Sequence, residues 1–262
     1  MAIETNNKDF IVKDGLLTAY IGNAERVVVP EGISAVGKFA FEGNEKISTV
    51  ILPNSVREIG RAAFAKCVNL TNISLPASLT DVEALLFSFC KSLTKITIPR
   101  GVEHICRLAF YQCESLAEIS LPDALTAIGA NAFQGCGALR SIVLPHSLQR
   151  IGDRALSCCA SLRNVSVLSE SLDLGCELFW GSFVSAPSIR VEYAGSADDF
   201  TRMIFSNERA PRPWETIGNA VSHVPASERE GRFEYDSETA FCIEVICQKD
   251  GARLTFGNAA KH

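Results

Sequence analysis

The stretch Leu70-Thr-Asn-Ile73-Ser-Leu75-Pro76-Ala-Ser-Leu79-Thr-Asp-Val82-Glu-Ala-Leu-Leu-Phe87-Ser-Phe-Cys90 decides the fold, because its landmarks return every 23 residues. Cysteine recurs at Cys67, Cys90, Cys113, Cys136 and Cys159, and proline at Pro30, Pro53, Pro76, Pro99, Pro122 and Pro145. Aromatic rings keep the same step at Phe41, Phe64, Phe87, Phe110 and Phe133, with Leu156 and Phe179 continuing the column. A fixed period of this length marks a stacked array and overrides any domain count made from chain length.

Within the unit, apolar residues fall at Val50, Ile73, Ile96, Ile119, Ile142 and Val165, and again two residues later at Leu52, Leu75, Ile98, Leu121, Leu144 and Val167. A step of two is the period of a strand with one buried face. The proline that follows lacks a backbone donor and ends the ladder. A third apolar column (Val36, Ile59, Val82, Ile105, Ile128, Ile151, Leu174) is usually followed by glycine, although Glu83 and Cys106 break that rule. A special glycine conformation is therefore not obligatory at that point of every coil. Next comes a short helical or turn-like stretch such as Arg61-Ala-Ala63-Phe64-Ala-Lys-Cys67, whose small Ala63 keeps the coil thin. Twenty-three residues cannot bury an apolar face alone, but coils stacked at ~4.8 Å can.

The composition bounds the function. Lys+Arg 25 against Asp+Glu 30 gives a net charge of −5, which disfavours a generic polyanion binder and so nucleic acid. The chain is 47% hydrophobic, enough for a sizeable core. No apolar run approaches the ~18–20 residues of a membrane span. The first residues, Met1 to Asp9, are polar and show no leader.

Sites of chemistry are sought and not found. His104 falls in a column with Ala35, Glu58, Asp81, Ala127, Arg150 and Asp173, the mark of a solvated position. His146 sits in an equally permissive column, and neither histidine has a matching nucleophile in the sequence. No Cys-x-x-Cys pair and no glycine-rich phosphate loop occurs, so no metal or cofactor is expected. The periodic cysteines read as buried small residues, since parallel Cβ directions suit a disulfide poorly. The glycosylation triplets at Asn69, Asn72 and Asn164 lie in or beside strands and read as by-products of the repeat. Unpaired thiols favour a reducing compartment, so a cytoplasmic protein is expected, or a secreted or cell-surface one if a leader precedes this sequence.

The unit Leu-x-x-Ile-x-Leu-Pro-x-x-Leu-x-x-Ile-Gly-x-x-Ala-Phe-x-x-Cys resembles the BspA-type leucine-rich repeat of bacterial and protist proteins. The resemblance implies a leucine-rich-repeat solenoid of β-strands and short helical or turn segments, its stacked 23-residue coils forming a parallel sheet between N- and C-terminal caps. Residues 1–22, with the tight-turn pair Asp14-Gly15, are similar to the family's opening hairpin, and 23–186 carry the repeats. Residues 187–215 resemble its closing strand and helix, with Ser196 and Asp199 as a capping pair. In that last strand, Ile189 and Val191 are expected to continue the columns of Val165 and Val167 with one inserted residue. Arg209-Ala-Pro211-Arg-Pro213-Trp214 reads as a stiff break, and 216–262 as a small antiparallel β element around Asp250-Gly251, a cap or small module outside the repeat.

Repeat arrays bind macromolecules through their extended faces. A non-enzymatic module binding a protein partner is therefore expected, with a surface adhesin or glycan-binding module as the alternative. The outward strand positions form one column of Arg26, Thr49, Asn72, Lys95, Glu118, Ser141 and Asn164, and another of Val28, Ile51, Ser74, Thr97, Ser120, Val143 and Ser166. Low charge with hydroxyl and amide groups suits a protein or carbohydrate surface. The candidate partner-binding residues are Asn72, Lys95, Thr97, Glu118, Ser120, Ser141 and Asn164.

Overall fold

Each coil contributes two strands, which stack in parallel into two files on different sides of one apolar core, each file hydrogen-bonded in segments. The computed structural model describes residues 7–175, 177–179, 181–182, 188–205 and 241–258. A hairpin opens the chain: β1 (Phe10–Lys13) and β2 (Leu16–Tyr20) run antiparallel around Asp14 and Gly15, both at positive φ, as a two-residue hairpin turn demands. Longer strands follow at the two-residue period: β3 (Arg26–Val28), β5 (Thr49–Ile51), β7 (Asn72–Ser74), β9 (Lys95–Thr97), β11 (Glu118–Ser120), β13 (Ser141–Leu144) and β15 (Asn164–Val167). Within the segments β3-β5-β7, β9-β11 and β13-β15 neighbours pair in parallel at the repeat step, as in Lys95 with Glu118 and Asn164 with Ser141.

Between them lies a second set: β4 (Ala35–Val36), β6 (Glu58–Ile59), β8 (Asp81–Val82), β10 (His104–Ile105), β12 (Ala127–Ile128), β14 (Arg150–Ile151) and β16 (Asp173–Leu174). This is the third apolar column, and strands of two residues are too short to show a periodicity in sequence. β2 joins β4 and β6, while β8 to β16 form one ladder in chain order. The glycines after these strands answer to packing rather than to a left-handed backbone. A Cβ on Gly152 would stand 2.4 Å from the backbone nitrogen of Ala130, and one on Gly175 2.3 Å from that of Asp153. Backbone runs over backbone there, with no side chain that could yield.

The stretch after the glycine is turn, not helix. Gly60 to Ala63 and Phe64 to Cys67 each close a turn, with N–H to C=O distances of 3.1 and 3.2 Å. Ala62 and Lys66, the third residues of these turns, have φ of 56° and 59°. Such strain at non-glycine residues persists only where the surroundings compensate it. The compensation is a third set of intercoil bonds: Ala62, Phe64 and Lys66 donate to the carbonyls of Ala84, Leu86 and Ser88 at 3.0, 3.1 and 2.7 Å.

The core is a column of rings. Phe41, Phe64, Phe87, Phe110 and Phe133 stack with centroids 4.8, 5.8, 5.4 and 5.3 Å apart, close to the spacing of neighbouring strands. The stack runs on into the hairpin through Tyr20 and Phe10, at 5.3 and 5.1 Å. Beside it stands the cysteine column, and its members are hydrogen-bond donors. Cys67, Cys90, Cys113, Cys136 and Cys159 each direct Sγ at the phenylalanine carbonyl of the preceding coil, at 3.1 to 3.3 Å. Where the column ends, the buried hydroxyl of Ser182 does the same to the Leu156 carbonyl at 2.9 Å and accepts the Cys159 N–H at 3.0 Å.

The closing strand corrects the expected register. β17 (Ser188–Tyr193) pairs Val165 with Val191 and Val167 with Tyr193, a step of 26 residues. A slide of two residues keeps the same face buried, so the alternation of Ile189, Val191 and Tyr193 is blind to it. Tyr193 decides: its ring is buried against Phe200, centroids 5.2 Å apart, and its hydroxyl donates to the Glu170 carbonyl at 2.7 Å. α1 (Ala197–Phe205) follows, capped as expected by Ser196, whose Oγ donates to Asp199 at 2.6 Å and accepts the Asp199 N–H at 3.2 Å.

Residues 241–258 form the anticipated hairpin, β18 (Phe241–Cys247) and β19 (Arg253–Asn258), around Asp250 and Gly251. Its placement is new: β18 lies parallel to β17, Val245 beside Val191 and Cys247 beside Tyr193, so the repeat sheet continues into it. Ile243, Val245 and Cys247 are buried. Asp250 ties hairpin to helix by accepting the Ala197 N–H at 2.9 Å, a bond that holds its carboxyl below the usual range. The proposed break at Arg209 to Trp214 lies outside the described residues.

Candidate functional site

On the longer strands every second side chain points away from the core. All seven candidate residues, Asn72, Lys95, Thr97, Glu118, Ser120, Ser141 and Asn164, are exposed there. Parallel pairing puts Lys95 beside Glu118, their side chains bonded at 2.6 Å, and Thr97 beside Ser120. The Lys95 ammonium holds the Glu118 carboxyl below its ordinary value. Ser141 and Asn164 are likewise neighbours. Val143, 53% exposed, gives the second column an apolar point.

The face is longer than the repeat alone suggests. Arg190 and Glu244 continue the column of Asn164, and Glu192 and Ile246 that of Ser166. Charge gathers at this end, with Arg190 3.5 Å from Glu192 and Arg253 3.7 Å from Glu244. The alternation Ile243-Glu244-Val245-Ile246-Cys247 carried the signal, since its buried members repeat the two-residue step.

The short-strand ladder holds a second feature with no counterpart in the sequence reading. A groove of about 720 Å³ runs along β8 to β16, floored by Gly129, Gly152 and Gly175 and edged by Asp81, His104, Cys106, Arg150 and Asp173. His104 Nδ1 lies 2.8 Å from Asp81 Oδ1. A cysteine, a histidine and an aspartate thus come together, but the electrostatics oppose nucleophilic chemistry. Burial pushes the Cys106 thiol up, and the charges of Glu83 and Asp81 push it further. An activated cysteine needs the opposite shift. The column cysteines are more strongly disfavoured as thiolates, Cys67 and Cys159 being raised to about 12 by burial. Among the described residues, no three of His, Cys, Asp and Glu converge to hold a metal ion.

Two files of parallel strands, a ring column and a 23-residue step define a leucine-rich-repeat solenoid. The model of the BspA type leucine rich repeat region matches residues 19–136 and 81–209 in six copies, and the chain belongs to that family. Among solved structures it is similar to a leucine-rich repeat protein of T. pallidum, at 30% identity over 69% of this chain and 89% of that one, with a TM-score of 0.48. One from Bacteroides ovatus shares 26% identity over 72% of this chain and 68% of that one, TM-score 0.42. A leucine-rich cell surface protein of Faecalibacterium prausnitzii shares 20% identity over 74% and 85%, TM-score 0.42. No curated protein matches this chain. As a member of this family it is a repeat protein of the kind that engages proteins or surfaces, and no helix among its described residues is long and apolar enough to cross a membrane.

Proposed function

We propose that the protein is a non-enzymatic interaction module that binds a protein partner through the exposed side chains of the longer-strand sheet. One observation carries this reading: seven exposed polar side chains lie on successive longer strands along one face, with a central ion pair, Lys95–Glu118, at 2.6 Å. Exposed pairs of this kind add little to stability, so their charges are available to a partner. In this reading residues 1–22 cap the 23–186 array at one end, and the strand and helix of 187–215 with the 216–262 element close the other. A glycan surface, as in an adhesin, is the second reading. It is favoured by the hydroxyl and amide side chains of Asn72, Thr97, Ser120, Ser141 and Asn164.

The test is affinity capture from the native organism with three baits. Lys95→Glu combined with Thr97→Arg reverses charge and adds bulk at mid-sheet, and capture should fall at least tenfold. Lys91→Glu breaks the matching Lys91–Glu114 pair, 2.8 Å on the turn side, and should leave capture unchanged. Equal capture by all three, each folded by circular dichroism, removes the sheet face as the binding surface. Capture that periodate-treated extracts abolish and protease-treated extracts retain moves the conclusion to the glycan.

A further inference from the structure

The opening hairpin ends the sheet β1-β2-β4-β6 in a strand edge that has no strand beside it among the described residues. β1 pairs with β2 on one side alone. Its inward groups are identifiable: the Asp9 carbonyl accepts the Ile21 N–H at 2.8 Å, and the Ile11 carbonyl accepts the Thr18 hydroxyl at 2.9 Å. The pairing shifts register between Ile11 and Val12, but the extra residue, Thr18, lies in β2, so the backbone polar groups of β1 keep alternating and those of Phe10 and Val12 face outward. Around them the surface is apolar: Ile11 is 48% exposed, Val12 45%, and Ile21 63%. An exposed edge with apolar side chains is a template for another strand.

The order Asp9-Phe10-Ile11-Val12-Lys13 identifies which strand. It is charge-antisymmetric about Ile11. When two copies pair antiparallel with Ile11 opposite Ile11, the outward groups of Phe10 meet those of Val12 in the other copy, and both backbone bonds form twice. The same register places Asp9 of each copy opposite Lys13 of the other. Asp9 closes the 3-10 turn 7–9 beside Tyr20 and Lys13 ends β1, so the two charges stand at the two ends of the paired segment, and a turn of the Asp9 side chain towards the edge brings them together. Sliding either way by two residues leaves one outward pairing within the strand, Val12 with Val12 or Phe10 with Phe10, and separates Asp9 from Lys13. We infer that the β1 edge is a self-association site, through which two copies of this chain pair antiparallel about Ile11 with twofold symmetry. Such an interface is isologous and closes at the dimer, so it does not propagate into fibres.

Sedimentation of the full chain tests this, with four variants. The protein should be a reversible dimer. Val12→Pro removes an outward donor that the hairpin does not use, and should weaken association at least tenfold while circular dichroism stays unchanged. Asp9→Lys and Lys13→Asp each oppose like charges in the homodimer, and each alone should be monomeric at concentrations where the parent is dimeric. An equal mixture of those two variants restores opposite charges at both contacts and should form the mixed dimer. The double variant Asp9→Lys with Lys13→Asp should pair with itself. A monomeric parent at 0.1 mM overturns the proposal, as does a dimer that Val12→Pro leaves intact. Loss of dimer in both charge variants without rescue on mixing overturns the register and with it the proposal.

Discussion

The middle of the array and its C-terminal end solve the same packing problem with different residues. From Phe64 to Phe133 every coil repeats ring on ring and thiol to carbonyl. From residue 156 onward the ring gives way to Leu156, the thiol to the Ser182 hydroxyl, and the repeat step to 26 residues at Val191 and Tyr193. What survives is the physical requirement. One position must fill volume, one must donate to a buried carbonyl, and one face of each strand must be apolar. Residue identity is free wherever a substitute meets the requirement.

The two regions should respond differently to alkali, and this is the largest effect expected. Along the thiol column, which ends at Cys159 and gives way to the hydroxyl of Ser182, the folded state holds its thiols protonated to about 12 at Cys67 and Cys159, against an ordinary value of 9.0. Below that ordinary value both states are protonated and the full stability is present. Above it the unfolded chain ionises first, binds fewer protons than the folded one, and stability falls as the pH rises towards 12. The slope approaches about 1.4 kcal/mol per thiol for each pH unit. Denaturant midpoints from pH 8 upward should therefore drop steeply, and less steeply in Cys67→Ser with Cys159→Ser. A flat profile would mean the thiols are not buried in solution.

Phe110→Ala comes next. The ring is fully buried at mid-column between Phe87 and Phe133, so truncation should cost about 3–5 kcal/mol in equilibrium unfolding. Leu156→Ala, at the position where the ring column lapses, should cost less, about 2–3 kcal/mol. If the two losses are equal, ring stacking adds nothing to volume and the comparison fails at that position.

The donor column offers a finer contrast. Ser182→Ala leaves the Leu156 carbonyl and the Cys159 N–H without their partner and should cost about 1–3 kcal/mol. Cys113→Ala removes one weaker donor, 3.1 Å from the Phe87 carbonyl, and should cost less than Ser182→Ala. The reverse order would show that the thiols act through volume alone.

Of similar size is the contrast between two glycines, Gly152 on the groove-side ladder and Gly101 in the turn between β9 and β10. Gly152→Ala drives a Cβ to 2.4 Å from backbone and should destabilise by about 1–3 kcal/mol. Gly101→Ala, whose nearest contact would be 3.4 Å, should change the unfolding midpoint little. Equal effects would mean that the close approach of coils relaxes at no cost.

Much of the candidate face was legible in advance because a strand alternates its side chains. Once Ile73 and Ile96 are inward, Asn72, Lys95 and Thr97 are outward, and a common period makes Lys95 and Glu118 neighbours. The groove was not legible. Its strands are two residues long, and its depth comes from glycines whose reason for being glycine lies in another coil.

By itself, then, the sequence determined the coil, the two columns of the longer strands, the ring and cysteine columns, both hairpin turns and the Ser196–Asp199 cap, because each rests on local spacing or on a side chain's own chemistry. Tertiary structure decided what local spacing leaves degenerate. Val191 and Tyr193 rather than Ile189 and Val191 meet Val165 and Val167, since a two-residue slide preserves every alternation and only the pocket beside Phe200 tells the registers apart. β18 adds in parallel to β17 for the same kind of reason: an apolar face two residues in period fits any sheet, and the coil it covers lies some 50 residues earlier in the chain.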